Sequence, residues 1–66
     1  MEYSKDDLIE ARRQIGSTLH KLRETVKTLR GKENPERYKA QITLAERRIR
    51  AFELANGLIE RELERM

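Results

Sequence analysis

The feature that most constrains this chain is a heptad-like spacing of apolar residues that is interrupted once, near the middle of the sequence. Before the interruption, these residues are Leu8, Ile15, Leu19, Leu22, Val26 and Leu29. After it, alternating steps of four and three connect Tyr38, Ile42, Ala45, Ile49, Phe52, Asn56, Ile59, Leu63 and Met66. Because such steps return to the same side of an α-helix, each stretch predicts an amphipathic helix with a narrow apolar stripe.

The interruption contains residues that are typical of the end of one helix and the start of another. Gly31 stands where a glycine in the left-handed conformation commonly closes a helix. Asn34 followed by Pro35 is typical of an N-cap and the first helical position. Ser4, with Asp7 following in the same first turn, is the corresponding start signal for the first helix.

These signals predict an all-α fold, an antiparallel two-helix hairpin with coiled-coil-like packing. The expected parts of this single domain over residues 1–66 are helix 1 at about 4–30, a turn at 31–34 and helix 2 at about 35–65. Asn56-Gly57 is a common turn pair, yet Ile59 and Leu63 stay in phase with the apolar residues before it. We therefore expect helix 2 to continue through this pair, with Gly57 costing about 1 kcal/mol relative to alanine.

Helix 2 carries more apolar surface than one neighbouring helix can cover. A second strip lies beside the first and contains Ala40, Leu44, Ala51, Ala55 and Leu58. A chain of 66 residues forms a thin core, and ordering entropy leaves so small a scaffold near zero net stability. We therefore expect two hairpins to associate as a homodimeric four-helix bundle. A monomer and a hairpin completed by a different protein stay open as alternatives.

The dimer interface expected on helix 2 consists of the second strip and an arginine at its edge. Its residues are Leu44, Arg48, Ala51, Ala55 and Leu58. Inside the hairpin, a fold about the turn places Arg12 near Phe52 and Asn56. Arg12 and Asn56 occupy positions where the heptad favours apolar side chains, so we interpret them as a polar core seam that fixes register. A site for an anionic group at this seam is the alternative.

The net charge of +3 is unevenly distributed along the chain. Residues 20–50 carry ten Lys and Arg against four Glu, whereas the remaining residues carry five against eight Asp and Glu. The turn end is therefore expected to be basic and the open end acidic. A possible anion-binding surface at the turn end consists of Lys21, Arg23, Lys27, Arg30 and Lys32. Interspersed glutamates and the absence of a recognisable reading module in the sequence argue against nucleic acid.

Several classes of site and cellular location find no support in the sequence. The chain has no cysteine, which excludes disulfides and thiolate zinc sites, and His20 has no second histidine to share a metal. Glu60, Glu62 and Glu64 point to different faces of a helix, and phosphate loops and nucleophile motifs are absent from the sequence. Without such motifs, we expect no cofactor. Because the sequence has neither an apolar run of about 20 residues nor a signal-peptide pattern, we expect no membrane partner and a cytoplasmic protein.

Most of the chain resembles a group of small uncharacterised bacterial helical-hairpin proteins, a family without an established function. The matching stretches are Ile15-Gly16-Ser17-Thr18, Arg48-Ile49-Arg50-Ala51 and Leu58-Ile59-Glu60-Arg61-Glu62-Leu63. The resemblance implies a helical hairpin and no particular activity.

The function expected from the sequence is a non-enzymatic helical module for protein–protein interaction and oligomerisation. Its partner is expected to be a second copy of the chain, with an unidentified protein as a further possibility. The alternative is a small regulator that binds anions or nucleic acid through the basic turn end.

Overall fold

The protein is described here from a computed structural model that covers residues 3–66. The structure consists of helix α1 (Lys5–Arg30), a 3₁₀ helix (Pro35–Tyr38) and helix α2 (Lys39–Arg65). The two long helices pack against each other in an elongated hairpin with extents of 48 × 16 × 15 Å. The all-α helical hairpin predicted from the sequence is confirmed.

Helix α1 begins and ends with side chains that suit its dipole. The hydroxyl of Ser4 accepts a hydrogen bond from the Asp7 amide at 3.1 Å, as the N-cap motif predicts. Asp6 and Asp7 lie in the first turn, whereas Lys27 and Arg30 lie in the last turn. Acidic groups at the N-terminus and basic groups at the C-terminus both stabilise a helix, so local sequence alone accounts for these boundaries.

Gly31 ends α1, but the left-handed conformation expected for it is wrong. Its φ and ψ are −80° and −5°, and its amide donates to the carbonyl oxygens of Lys27 at 3.1 Å and Thr28 at 3.2 Å. The chain thus leaves α1 through a tightening of the last helical turn. Across residues 3–66, every residue keeps a negative φ. The turn therefore does not depend on the conformational freedom of glycine.

The second helix starts through a 3₁₀ turn instead of directly as an α-helix. Pro35 occupies its first position, where the missing N–H costs nothing. The Asn34 carbonyl oxygen accepts a hydrogen bond from the Arg37 amide at 3.1 Å, while the Asn34 side chain takes no part in capping the described turn. The prediction of a proline start is confirmed, whereas the predicted side-chain cap is wrong.

Helix α2 runs without a break through Asn56 and Gly57, which confirms the prediction drawn from the phase of the apolar residues. Gly57 is exposed on this helix. A Cβ atom placed there would meet nothing within 4 Å in the described part of the chain.

Gly57→Ala is therefore expected to raise the free energy of unfolding by about 1 kcal/mol, the usual difference between the two residues inside a helix. Urea denaturation followed by circular dichroism measures this change. Gly31→Ala serves as a control, because a Cβ at that position would lie 3.4 Å from the Lys27 carbonyl oxygen at the helix end. A stability gain at Gly31 as large as that at Gly57 would contradict the helix-propensity explanation.

The hydrophobic core is thin and is best developed near the turn. The buried apolar residues are Leu8, Leu19, Val26, Ile42 and Ala45. Three of these, Val26, Ile42 and Ala45, form one cluster. The half-buried side chains that pack around this cluster are Leu22, Leu29, Tyr38 and Ile49. Within the described residues, no side chain is completely withdrawn from solvent, so the isolated hairpin gains only modest stability from burial.

Candidate interaction surface

The most prominent surface feature is an apolar strip on the outer side of α2. Leu44 is 49% exposed and Leu58 is 58% exposed. Ala51, which lies midway between them in the sequence, is also exposed. Ala51 lies nine residues after Ile42, which is about half a turn away on a helix. Since Ile42 is buried against α1, Ala51 faces away from it. The strip predicted from the sequence therefore exists as an exposed surface of the hairpin.

The other residues of the expected interface lie at the edges of this strip. Ala55 is half-buried because it borders the groove between the two helices, and Arg48 is exposed on the same side of α2. The five expected interface residues all lie on α2. Their spacing places them on one side of α2, whereas α1 contacts the other side.

One large apolar side chain at the margin of the strip was missed in the sequence. Leu54 is 68% exposed and follows Ala51 by three residues and precedes Leu58 by four. That spacing was a usable signal, because residues three and four apart are neighbours on a helix surface. Leu54 widens the apolar surface toward solvent.

An open groove continues the strip at the end of the hairpin opposite the turn. It has a volume of about 900 Å³, which falls within the size range of sites that hold a small molecule or several side chains. Its lining residues are Tyr3, Asp7, Leu8, Ala11, Ala55, Leu58, Ile59, Glu62 and Met66. Tyr3 and Leu8, which flank the N-cap of α1, thus lie in the same groove. Most of the lining is apolar, and Asp7 and Glu62 supply two carboxylates.

The polar seam differs from the prediction in the part that Arg12 plays. The Asn56 side-chain amide donates a long hydrogen bond of 3.4 Å to the backbone carbonyl oxygen of Arg12. The Arg12 side chain itself is exposed. The predicted proximity of these two residues is therefore confirmed. The side chain of Asn56 enters the contact between the helices, whereas Arg12 contributes its backbone carbonyl oxygen and is an exposed residue.

Asn56 is incompletely satisfied in this position. Its Oδ1 atom is buried and has no hydrogen-bond partner within residues 3–66. A buried acceptor without a partner costs about 1 to 3 kcal/mol. We therefore expect Asn56 to lower the stability of the hairpin, and its role in fixing the register stays a prediction.

Asn56→Leu is expected to raise the free energy of unfolding by about 1 to 3 kcal/mol, because leucine removes the unsatisfied acceptor and adds apolar burial. Arg12→Leu, at the other position of the pair, is expected to change the free energy of unfolding by less than about 0.5 kcal/mol, because Arg12 is exposed. Thermal denaturation of both variants measures the difference. A loss of stability in Asn56→Leu would mean that the amide contributes more than its geometry indicates.

The basic residues of the turn end do not form one open surface. Arg23 contacts Glu53 at 3.1 Å and Arg30 contacts Glu46 at 2.8 Å, so both arginines connect α1 to α2. The Lys32 ammonium lies 5.8 Å from the centroid of the Tyr38 ring. Lys21 and Lys27 are exposed, but they are six positions apart, which places them about 120° apart around α1. The five residues of the expected anion-binding surface are therefore only partly brought together.

Charged groups on the outer face of α1 interact within the helix. Arg13 contacts Glu10 at 2.9 Å, and Gln14 donates to the same carboxylate at 2.8 Å. The hydrogen bond from Arg13, followed by that from Gln14, lowers the pKa of the Glu10 carboxyl below its ordinary value. Such a cluster is typical of a solvated helix surface.

Other candidate groups lie apart from one another. His20 and Glu60 are exposed, and Glu62 is half-buried beside the groove. Among residues 3–66, no three His, Asp or Glu side chains come close enough to hold a metal ion. The helices of the described region lack an apolar segment of the length needed to cross a membrane.

Comparison with known proteins adds no family assignment. No protein-family model matches the chain, and no curated protein or solved structure is significantly similar to it. The resemblance to bacterial helical-hairpin proteins stays a prediction. The exposed surface of the hairpin is therefore the feature that points to a function.

Proposed function

We propose that this protein is a non-enzymatic interaction module that self-associates through the outer strip of α2, two hairpins forming a four-helix bundle. The observation that carries this proposal is the exposure of Leu44, Ala51 and Leu58 on one side of a helix whose opposite side packs on α1. Burial of this strip by a second hairpin would remove apolar surface from water and enlarge a core that is thin in the isolated chain.

The chain offers a clear reason for association through α2 instead of α1. The corresponding side of α1 carries polar residues, and Thr18 and Thr25 donate their hydroxyls to carbonyl oxygens within that helix. Apolar surface that is both large and unpartnered is thus concentrated on α2. Four-helix bundles form when such faces meet around a common core.

The test is the solution mass of the purified chain, measured by light scattering coupled to size exclusion over a dilution series. A mass of twice the 7.9 kDa chain that falls toward the monomer on dilution supports self-association. A folded monomer at every concentration up to about millimolar would contradict it, because dissociation constants weaker than that correspond to less than about 4 kcal/mol of binding free energy.

A further inference from the structure

We infer that the partner of the α2 strip is a second copy of this chain that lies antiparallel, with the turn half of one α2 against the open half of the other. This inference rests on the self-association proposed above. It adds the orientation of the two hairpins and the residues that face each other.

The distribution of charge favours the antiparallel arrangement. Residues 20–50, which form the turn half, carry ten Lys and Arg and four Glu, for a net charge of +6. The open half carries five basic and eight acidic residues, for a net charge of −3. Parallel hairpins would place +6 beside +6, whereas antiparallel hairpins place each basic half beside an acidic half. Because opposite charges attract, electrostatic complementarity favours the antiparallel arrangement.

The spacing along the strip gives the contacts of this arrangement. Alternating steps of four and three on this side of α2 connect Leu44, Arg48, Ala51, Ala55, Leu58 and Glu62, and the last three of these residues line the groove. Such steps define the a and d positions of a coiled coil, and in antiparallel pairs each a residue faces a d residue of the other helix.

A two-fold axis midway between Ala51 and Ala55 satisfies this rule. Ala51 then faces the partner's Ala55, so that two alanine layers at the centre let the helix backbones approach closely. Arg48 faces the partner's Leu58 and reaches one turn further to the partner's Glu62. Leu44 lies against the aliphatic stem of the partner's Glu62. Both copies make the same contacts, as an isologous interface requires.

The lining of the open-end groove suits the turn half of another copy. It is lined by apolar Ala55 and Leu58 and by the carboxylates of Asp7 and Glu62. Leu44 and Arg48 of a second copy offer an apolar side chain and a cation separated by one helical turn. The attraction between this cation and the groove carboxylates favours the antiparallel orientation of the two hairpins.

Cysteine cross-linking tests the orientation directly, because the chain has no native cysteine. Leu44→Cys and Glu62→Cys are prepared separately, mixed and oxidised. Positions 44 and 62 are 18 residues apart, which corresponds to about 27 Å along a helix. The antiparallel arrangement therefore predicts a disulfide between position 44 of one chain and position 62 of the other. Intact mass distinguishes this mixed dimer from the two homodimers.

Ser17→Cys, on the exposed outer face of α1, is the control for random collision. Homodimers of each variant in excess over the mixed dimer would overturn the antiparallel orientation. If cross-linking stays at the Ser17→Cys level while light scattering shows a dimer, the strip is not the contact, and both proposals fail. A monomeric mass under the same conditions overturns the self-association itself.

Charge reversal gives a second test that does not depend on disulfide geometry. Arg48→Glu is expected to weaken self-association about tenfold, because it places a carboxylate beside the partner's Glu62. The double variant Arg48→Glu with Glu62→Arg restores the opposite charges and is expected to recover most of the loss. Equal weakening in the single and double variants would overturn the contact between these residues.

Discussion

Ala51→Arg is expected to convert the dimer into a monomer while the hairpin stays helical. Ala51 is exposed in the single chain, and arginine is a good helix former, so the variant disturbs neither packing on α1 nor helix propensity. In the proposed dimer, the same change places two charged, bulky side chains near the two-fold axis. Like charges brought together in an interface cost several kcal/mol, which corresponds to a weakening of about 100-fold or more.

The measurement is the dissociation constant from sedimentation equilibrium, with circular dichroism to verify that the helix content is retained. Ser17→Arg is the matched control, because it adds the same side chain to an exposed position on the outer face of α1. It is expected to leave the dissociation constant within a factor of about 2. A dimeric Ala51→Arg variant would exclude the α2 strip as the contact surface.

Leu19→Ala is expected to unfold most of the hairpin. Leu19 is 5% exposed, the smallest exposed fraction among the buried apolar residues between positions 3 and 66. Replacing a buried leucine by alanine costs about 2 to 5 kcal/mol, which includes the cavity left behind. A core of this size rarely supplies more than about 3 to 5 kcal/mol in total. The loss is therefore comparable to the whole stability of the chain.

Circular dichroism at 25 °C, combined with urea denaturation, measures this loss of helix content and cooperativity. Leu54→Ala makes the same chemical change at a side chain that is 68% exposed in the single hairpin. It is expected to change the unfolding free energy of that hairpin by less than about 0.5 kcal/mol. Similar urea denaturation curves for the two variants would contradict the distinction between the buried face and the exposed strip.

These two variants separate folding from assembly. Leu19→Ala acts on the contact between α1 and α2, whereas Ala51→Arg acts on the opposite side of α2. If dimerisation stabilises the folded chain, the melting temperature rises with protein concentration in the unmodified chain and becomes independent of it in Ala51→Arg.

The surroundings of Asn56 were predicted from the sequence only in part. The apolar phase before and after it was enough to predict a continuous α2, and the expected fold about the turn placed Asn56 near Arg12. The pattern did not predict which of the two side chains turns inward. In the structure, Asn56 donates to a backbone oxygen of Arg12, and Arg12 is an exposed residue.

Sequence alone determined the two helices, the position of the break between them and the presence of a second apolar strip on α2. These follow from interactions between residues three and four positions apart, which are fixed once a helix forms. The ion pairs that Arg23 and Arg30 make with α2, and the contact of the Asn56 amide with the Arg12 backbone, were decided only by tertiary structure. Each depends on how the helices approach and face one another, a relation between distant residues that a periodic pattern does not contain.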